Sequence, residues 1–93
     1  MNGRALFTEH CIVCHGAAGL GDGPLAATLT PPPLNLQVHA PLHPDQQLYS
    51  FIASGVFGTA MTNWDKTLIP DEIWDIIFYL RILTQPVNTS DVN

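Results

Sequence analysis

The stretch Cys11-Ile12-Val13-Cys14-His15 governs how the whole chain is read. Residues three apart on a helical turn are neighbours on one face, so the two sulfurs project together and His15 follows them directly. A disulfide between them would close a loop too short to constrain the unfolded chain appreciably, so the value of the pair is chemical. A thioredoxin-like redox pair calls for a surrounding βαβ pattern, and no segment here shows sustained strand alternation. Structural zinc would have to arrange His10, Cys11, Cys14 and His15, all within one short stretch, as a tetrahedron.

C-x-x-C-H is the pattern that attaches haem of the c type. Two thiols on one turn can reach the two vinyl groups of a single porphyrin as thioethers, and the histidine one residue on is then placed under the iron. The expected cofactor is one haem c, covalent through Cys11 and Cys14 and ligated by His15. Ile12 and Val13 are compatible spacers, because the attachment asks nothing of their side chains. A module using the same cysteines for a soft metal is the non-haem alternative, and colour separates the two.

Working outward, residues 2–13 read as a helix with Asn2 as N-cap, Leu6, His10 and Val13 along one side, and Gly3, Phe7, Cys11 and Cys14 continuing that face. From Gly16 to Pro44 the character changes to loop: Gly16, Gly19, Gly21, Gly23 and the run Pro31-Pro32-Pro33 deny both helix and ladder. So long a loop in a small domain needs something to wrap around. A second helix fits 44–54, with Pro44 in its first turn, Leu48, Phe51 and Ile52 on one face and Gly55 as the stop. The last helix runs from about Pro70 to Thr84, with Asp71 and Glu72 at its positive end, Arg81 near its negative end, and Pro86 ending it. Residues 1–86 are read as one all-α domain of three main helices and long loops, and 87–93 as a polar, frayed tail.

Composition agrees with a small cofactor-stabilised domain. At 93 residues there is little core volume without a cross-link, metal or cofactor. A hydrophobic fraction of 46% with only 12% charged residues excludes a disordered chain. A net charge of -5, with only three Lys and Arg, argues against nucleic acid and anionic membrane surfaces, both of which need clustered cations. No window approaches a spanning helix. The start has neither an apolar signal core nor a cleavage site, and reads as a mature form or an excised domain.

Several further segments carry a family resemblance. Cys11 to His15 followed by Gly16, the stretch Gly21-Asp22-Gly23-Pro24, the run Pro31-Pro32-Pro33-Leu34-Asn35-Leu36, Gly58-Thr59-Ala60-Met61-Thr62-Asn63-Trp64, and Ile73-Trp74-Asp75 with Tyr79-Leu80-Arg81 together resemble bacterial class I cytochrome c. The resemblance covers nearly the whole chain. It is nearest to the single-haem domains found alone or appended to membrane-bound respiratory and metal-handling proteins. It implies a small all-α fold around one covalent haem, with the first and last helices crossing at Gly3 and Phe7 packing near Ile76 and Tyr79.

Met61 matches the family's distal methionine, a thioether that opposite imidazole raises the reduction potential. His39 and His43, in the loop that can fold over the haem, are the competing ligands. Where the family commonly has a proline after the methionine, this chain has Thr62, which frees one backbone dihedral and adds an N–H. The resemblance also implies that a loop proline, Pro31, Pro32 or Pro33, supplies the carbonyl for the free ring N–H of His15. Trp64 and Trp74 each carry an N–H that a haem propionate or the loop backbone can accept. On the last helix Ile73, Ile76, Ile77, Leu80 and Leu83 form one apolar face suited to haem and core.

Haem ligated by His15 and Met61 leaves no open site, so the implied role is outer-sphere electron transfer between redox partner proteins, and not an enzyme. The rival is an open-coordination haem protein acting as a gas sensor or a peroxidase-like enzyme, if Met61 does not bind. The resemblance places the chain in the periplasm or another extracytoplasmic space, where its partner would be a membrane-bound respiratory or metal-handling complex. Trp74, Phe78 and Ile82 form a second apolar stripe on the last helix, at spacing i, i+4, i+8. Either loops and tail cover that stripe, or it docks against another protein or a second copy.

Overall fold

A computed structural model describes residues 2–85. In chain order these form α1 (Gly3–His10), α2 (Ile12–His15), α3 (Leu36–His39), α4 (Asp45–Ser54) and α5 (Pro70–Leu83). Short 3-10 turns lie at Ala26–Thr28, Ala40–Leu42 and Trp64–Lys66, and there is no strand among the described residues. The fold is all-α, as the hydrophobic periodicity requires. Pro86 and the tail 87–93 lie outside the described residues.

The core is the crossing of α1 and α5. Phe7, Ile73, Ile76 and Ile77 are fully buried there, and Leu6 and Leu80 nearly so. Phe7 meets Tyr79 with ring centroids 5.4 Å apart at 49°. Each such aliphatic or aromatic side chain contributes roughly 1.5–3 kcal/mol when removed from water. The backbones approach closely because Gly3 offers no side chain: a Cβ there would overlap the carbonyl oxygen of Asp75 and stand 2.8 Å from Cβ of Tyr79. Both ends of α5 are tied. Glu72 accepts the Ile69 N–H at 3.0 Å, and the buried Thr84 hydroxyl donates to Leu80 O at 2.7 Å.

Four expectations are corrected. The first helix does not run unbroken through residues 2–13: α1 ends at His10, Cys11 takes φ -111°, and α2 resumes and continues to His15. The break keeps its hydrogen bonds, since Cys11 N–H donates to Phe7 O at 2.8 Å and His15 N–H to Cys11 O at 2.9 Å. Asn2 holds the cap position, but its side chain makes no capping bond. The long loop contains α3, capped by Asn35, whose side-chain oxygen accepts from the Gln37 N–H at 2.9 Å. Pro44 is the extended residue before α4, with ψ 160°, and not its first turn. Leu48, Phe51 and Ile52 do share a face, all three lining one cavity, with Phe51 the most exposed at 38% and edge-on to His43 at 5.3 Å.

The second stripe of α5 divides. Trp74 is half-buried and stacks on Tyr49 of α4 at 4.9 Å, so it belongs to the α4–α5 contact. Phe78 and Ile82 are 55% and 62% exposed, and no described loop covers them.

Candidate haem cavity

Local structure around α2 explains the glycines that follow it. A four-residue helix leaves its last carbonyls without intrahelical partners. The returning strap supplies them: Gly21 N–H donates to His15 O at 2.8 Å, Gly23 N–H to Cys14 O at 3.0 Å and Leu25 N–H to Val13 O at 2.9 Å. Gly16 reverses the chain at φ 82°, a conformation that glycine adopts without steric penalty. The strap is anchored in turn to α3 by Leu36 N–H on Gly19 O at 2.6 Å. Gln37 then ties Ala18 O and Leu83 O together, at 2.7 and 3.0 Å.

This framework encloses a cavity of about 380 Å³, within the range of cofactor pockets. Cys11, Cys14 and His15 line it on the α1–α2 side; Pro32, Pro33, Met61, Trp64, Ile76 and Leu80 line it as well, as does Phe51. Trp74, the other tryptophan considered for a propionate, does not, because it is held against Tyr49. Apart from the cysteines, four histidines, Thr59, Met61, Thr62 and Trp64, the lining side chains are hydrocarbon.

The chemistry of the donors fits haem. His15 Nδ1 lies 3.2 Å from the carbonyl of Leu34, which fixes the tautomer with Nδ1–H donating and leaves Nε2 with its lone pair. The carbonyl expected from Pro31, Pro32 or Pro33 thus comes from the residue after them; the prolines stiffen the segment that presents it. Burial lowers the pKa of His15, with the Leu34 contact opposing, so the imidazole is neutral and ready to ligate a metal. Burial, reinforced by Cys14, pushes the Cys11 thiol up to about 12. A site that disfavours thiolate so strongly suits a sulfur that remains uncharged, as a thioether does.

Met61 is half-buried and reaches the cavity from the loop after α4. That loop closes on itself without the family's proline. Val56 N–H donates to Met61 O at 3.3 Å, while the Thr59 hydroxyl donates to Val56 O at 2.7 Å and accepts the Met61 N–H at 3.1 Å. Sequence reading gave Thr59 and Leu34 no role at the site and weighed His10 only as a zinc ligand. His10 stacks on Trp64 at 4.8 Å, beside the cysteines, and its adjacency to Cys11 was the available signal.

An all-α fold wrapped around an apolar cavity, with paired cysteines and a tethered histidine on one wall, defines a c-type cytochrome domain. Residues 1–80 match the family model described as cytochrome c oxidase, cbb3-type, subunit III, and the chain belongs to that family. Among solved structures, the fold is similar to a chain of the Kuenenia stuttgartiensis reducing HAO-like protein complex Kustc0457/Kustc0458. The TM-score is 0.80 and the identity 23%, over 99% of this chain and 44% of that one. It is also similar to the KustC0563 c-type cytochrome, with TM-score 0.73 and 19% identity over 91% of this chain and 100% of that one. The chain therefore spans less than half the length of the first. A comparison with curated proteins gives no significant match. Membership of this family implies covalently bound haem c and an electron-carrying role.

Proposed function

We propose that this domain is a single-haem electron carrier in which His15 and Met61 ligate the iron and electrons pass by outer-sphere transfer between partner redox proteins. The observation that carries it is the pairing on one cavity of an imidazole whose Nδ1–H is bound to Leu34 O and a methionine held by a self-bonded loop. Haem supplies the one-electron iron couple when bound. The chain's part is to hold it: Cys11 and Cys14 fix one edge, His15 and Met61 leave no position for substrate, and Ile76 and Leu80 exclude water. Ordered ligands in both oxidation states reduce the reorganisation that each transfer requires. Haem attachment in the family takes place outside the cytoplasmic membrane, and the proposed location is the periplasm or an equivalent space. The partner proposed is a membrane-bound respiratory or metal-handling complex; among the described residues no helix is long and apolar enough to cross a membrane.

Met61→Ala tests the ligand assignment. The reduction potential is expected to fall, and the reduced iron to bind carbon monoxide that the wild type excludes, because the soft neutral donor is lost. An unchanged spectrum would transfer the ligand role to His39 or His43. A wild type that binds carbon monoxide freely would favour the sensor or peroxidase-like reading.

Phe78 and Ile82, exposed on α5, are proposed as a docking patch for the partner protein or a second copy, since contiguous apolar surface marks contacts. Phe78→Glu with Ile82→Lys is expected to leave spectrum and melting temperature intact while reducing self-association or electron transfer to the partner. A double variant that unfolds would show the stripe to be core.

A further inference from the structure

The two proposed axial ligands stand on different pieces of chain, His15 on α2 and Met61 on the loop between α4 and the turn Trp64–Lys66. Attachment at Cys11 and Cys14 registers a haem to α2, so the reach of Met61 to the iron depends on how that loop is held against the α1–α2 wall. Among the described residues, no hydrogen bond runs from residues 55–64 to α1 or α2. The loop is fastened to itself and to the end of α4, where Met61 O accepts from Val56 N–H at a long 3.3 Å.

What reaches across to the wall is the indole of Trp64. Its backbone is fixed, because Trp64 O accepts from Thr67 N–H at 3.0 Å and from Leu68 N–H at 2.7 Å, and Leu68 is buried in the core. Its ring meets the imidazole of His10, the last residue of α1 and the neighbour of Cys11, with centroids 4.8 Å apart and planes at 53°. Both side chains line the cavity. That separation and tilt lie in the favourable range for aromatic pairs. The Glu9 carboxylate is 3.7 Å from His10 Nε2 and 71% exposed, too distant for a hydrogen bond and well solvated. The ring contact, not charge, is what His10 offers the site.

We propose that His10 is a positioning residue for Met61: its ring, packed on Trp64, holds the ligand loop to the cysteine wall and keeps the sixth coordination position closed. Trp64 is three residues from Met61. Between them Thr62 keeps a free φ, and its hydroxyl reaches only the Asn63 side chain, at 3.4 Å. A contact at Trp64 restrains the freedom that this segment otherwise has. The proposal rests on the His15 and Met61 reading above and adds the residue that holds the second ligand in place.

The test uses the ferric holoprotein, with covalent haem verified by intact mass and Met61 ligation by the spectrum of Met61→Ala. Imidazole must displace the thioether to bind, so its apparent affinity scales with the fraction of molecules whose loop is open. His10→Ala is expected to raise imidazole affinity about twofold to tenfold, the worth of one aromatic pair. His10→Phe, which keeps a ring and no polar atom, should return it to the wild-type value; His10→Gln, which keeps polar atoms and no ring, should not. In a Trp64→Leu background the effect of His10→Ala should vanish, since the contact is already gone. An alanine variant with haem and Met61 ligation intact and imidazole affinity unchanged or lower overturns the proposal. So does a His10 effect of full size in the Trp64→Leu background. Should the alanine variant fail to load haem, the phenylalanine and glutamine variants decide alone, and equal affinities in those two overturn it. A Met61→Ala protein with the wild-type spectrum defeats the ligand reading itself, and is recognised before any His10 variant is made.

Discussion

Gly3→Leu should destabilise the domain by about 3 kcal/mol or more, at or beyond the top of the range for an overpacked core. The reason is the identity of what the new side chain meets. A Cβ at this position overlaps the Asp75 carbonyl oxygen and lies 2.9 Å from the carbonyl carbon, both backbone atoms of α5 that no rotamer change can move aside. Relief requires α1 and α5 to separate, which opens the layer in which Phe7, Ile73, Ile76 and Ile77 are fully buried. Domains of this kind have total stabilities of about 5–15 kcal/mol, so the loss is a large fraction of the whole. Denaturant titration of the holoprotein measures it. The control is Gly58→Ala: unlike Gly3 it has a positive φ, 82°, but it has nothing within 4 Å of the added carbon, and should cost only about 1 kcal/mol of backbone strain. A Gly3 variant no worse than that control would place the crossing elsewhere.

Residues acting through local periodicity were legible in the sequence, and residues acting through long-range backbone bonds were not. The i, i+3, i+4 spacing of Ile73, Ile76, Ile77 and Leu80 announced the buried face of α5, and those four are buried. The spacing of Cys11, Cys14 and His15 announced one wall of the cavity, because three consecutive roles fit a single turn. Carbonyl acceptors carry no sequence signature, so Leu34 could not be told from its three proline neighbours as the partner of His15. Thr59 escaped notice for a similar reason: its hydroxyl works on the backbone of Val56 and Met61, two and three residues away, in a loop whose shape no periodicity specifies. The short α3 was hidden by the glycines and prolines around it, although Asn35 before Leu36 was a legitimate N-cap signal. The division of the apolar stripe on α5 depended on Tyr49, a residue of another helix, and only tertiary packing separates Trp74 from Phe78 and Ile82.

Gly23→Ala should be the most damaging single-methyl change near the site, because it strikes α2, the short helix that carries Cys14 and His15 and follows directly on Cys11. Gly23 is buried and is not among the glycines with positive φ, so backbone strain contributes nothing and the effect isolates steric contact. The added carbon would overlap the carbonyl oxygen of Ile12 and lie 2.5 Å from that of Val13. The strap must therefore lift away from α2. Lifting it breaks the bonds from Gly23 N–H to Cys14 O and from Leu25 N–H to Val13 O, each contributing about 1 kcal/mol and more where the freed carbonyl stays buried. With the clash included, the expected loss is about 2–4 kcal/mol in the holoprotein. The chain without haem should suffer more in practice, since α2 has only four residues and no other source of order for its last carbonyls. The observable is the yield of protein carrying covalent haem, by mass, alongside the unfolding free energy of what is recovered. Normal yield and stability would mean that the strap is a passive connection. A normal stability with a changed reduction potential would mean that it tunes His15 through the backbone bond from Gly21 N–H to His15 O.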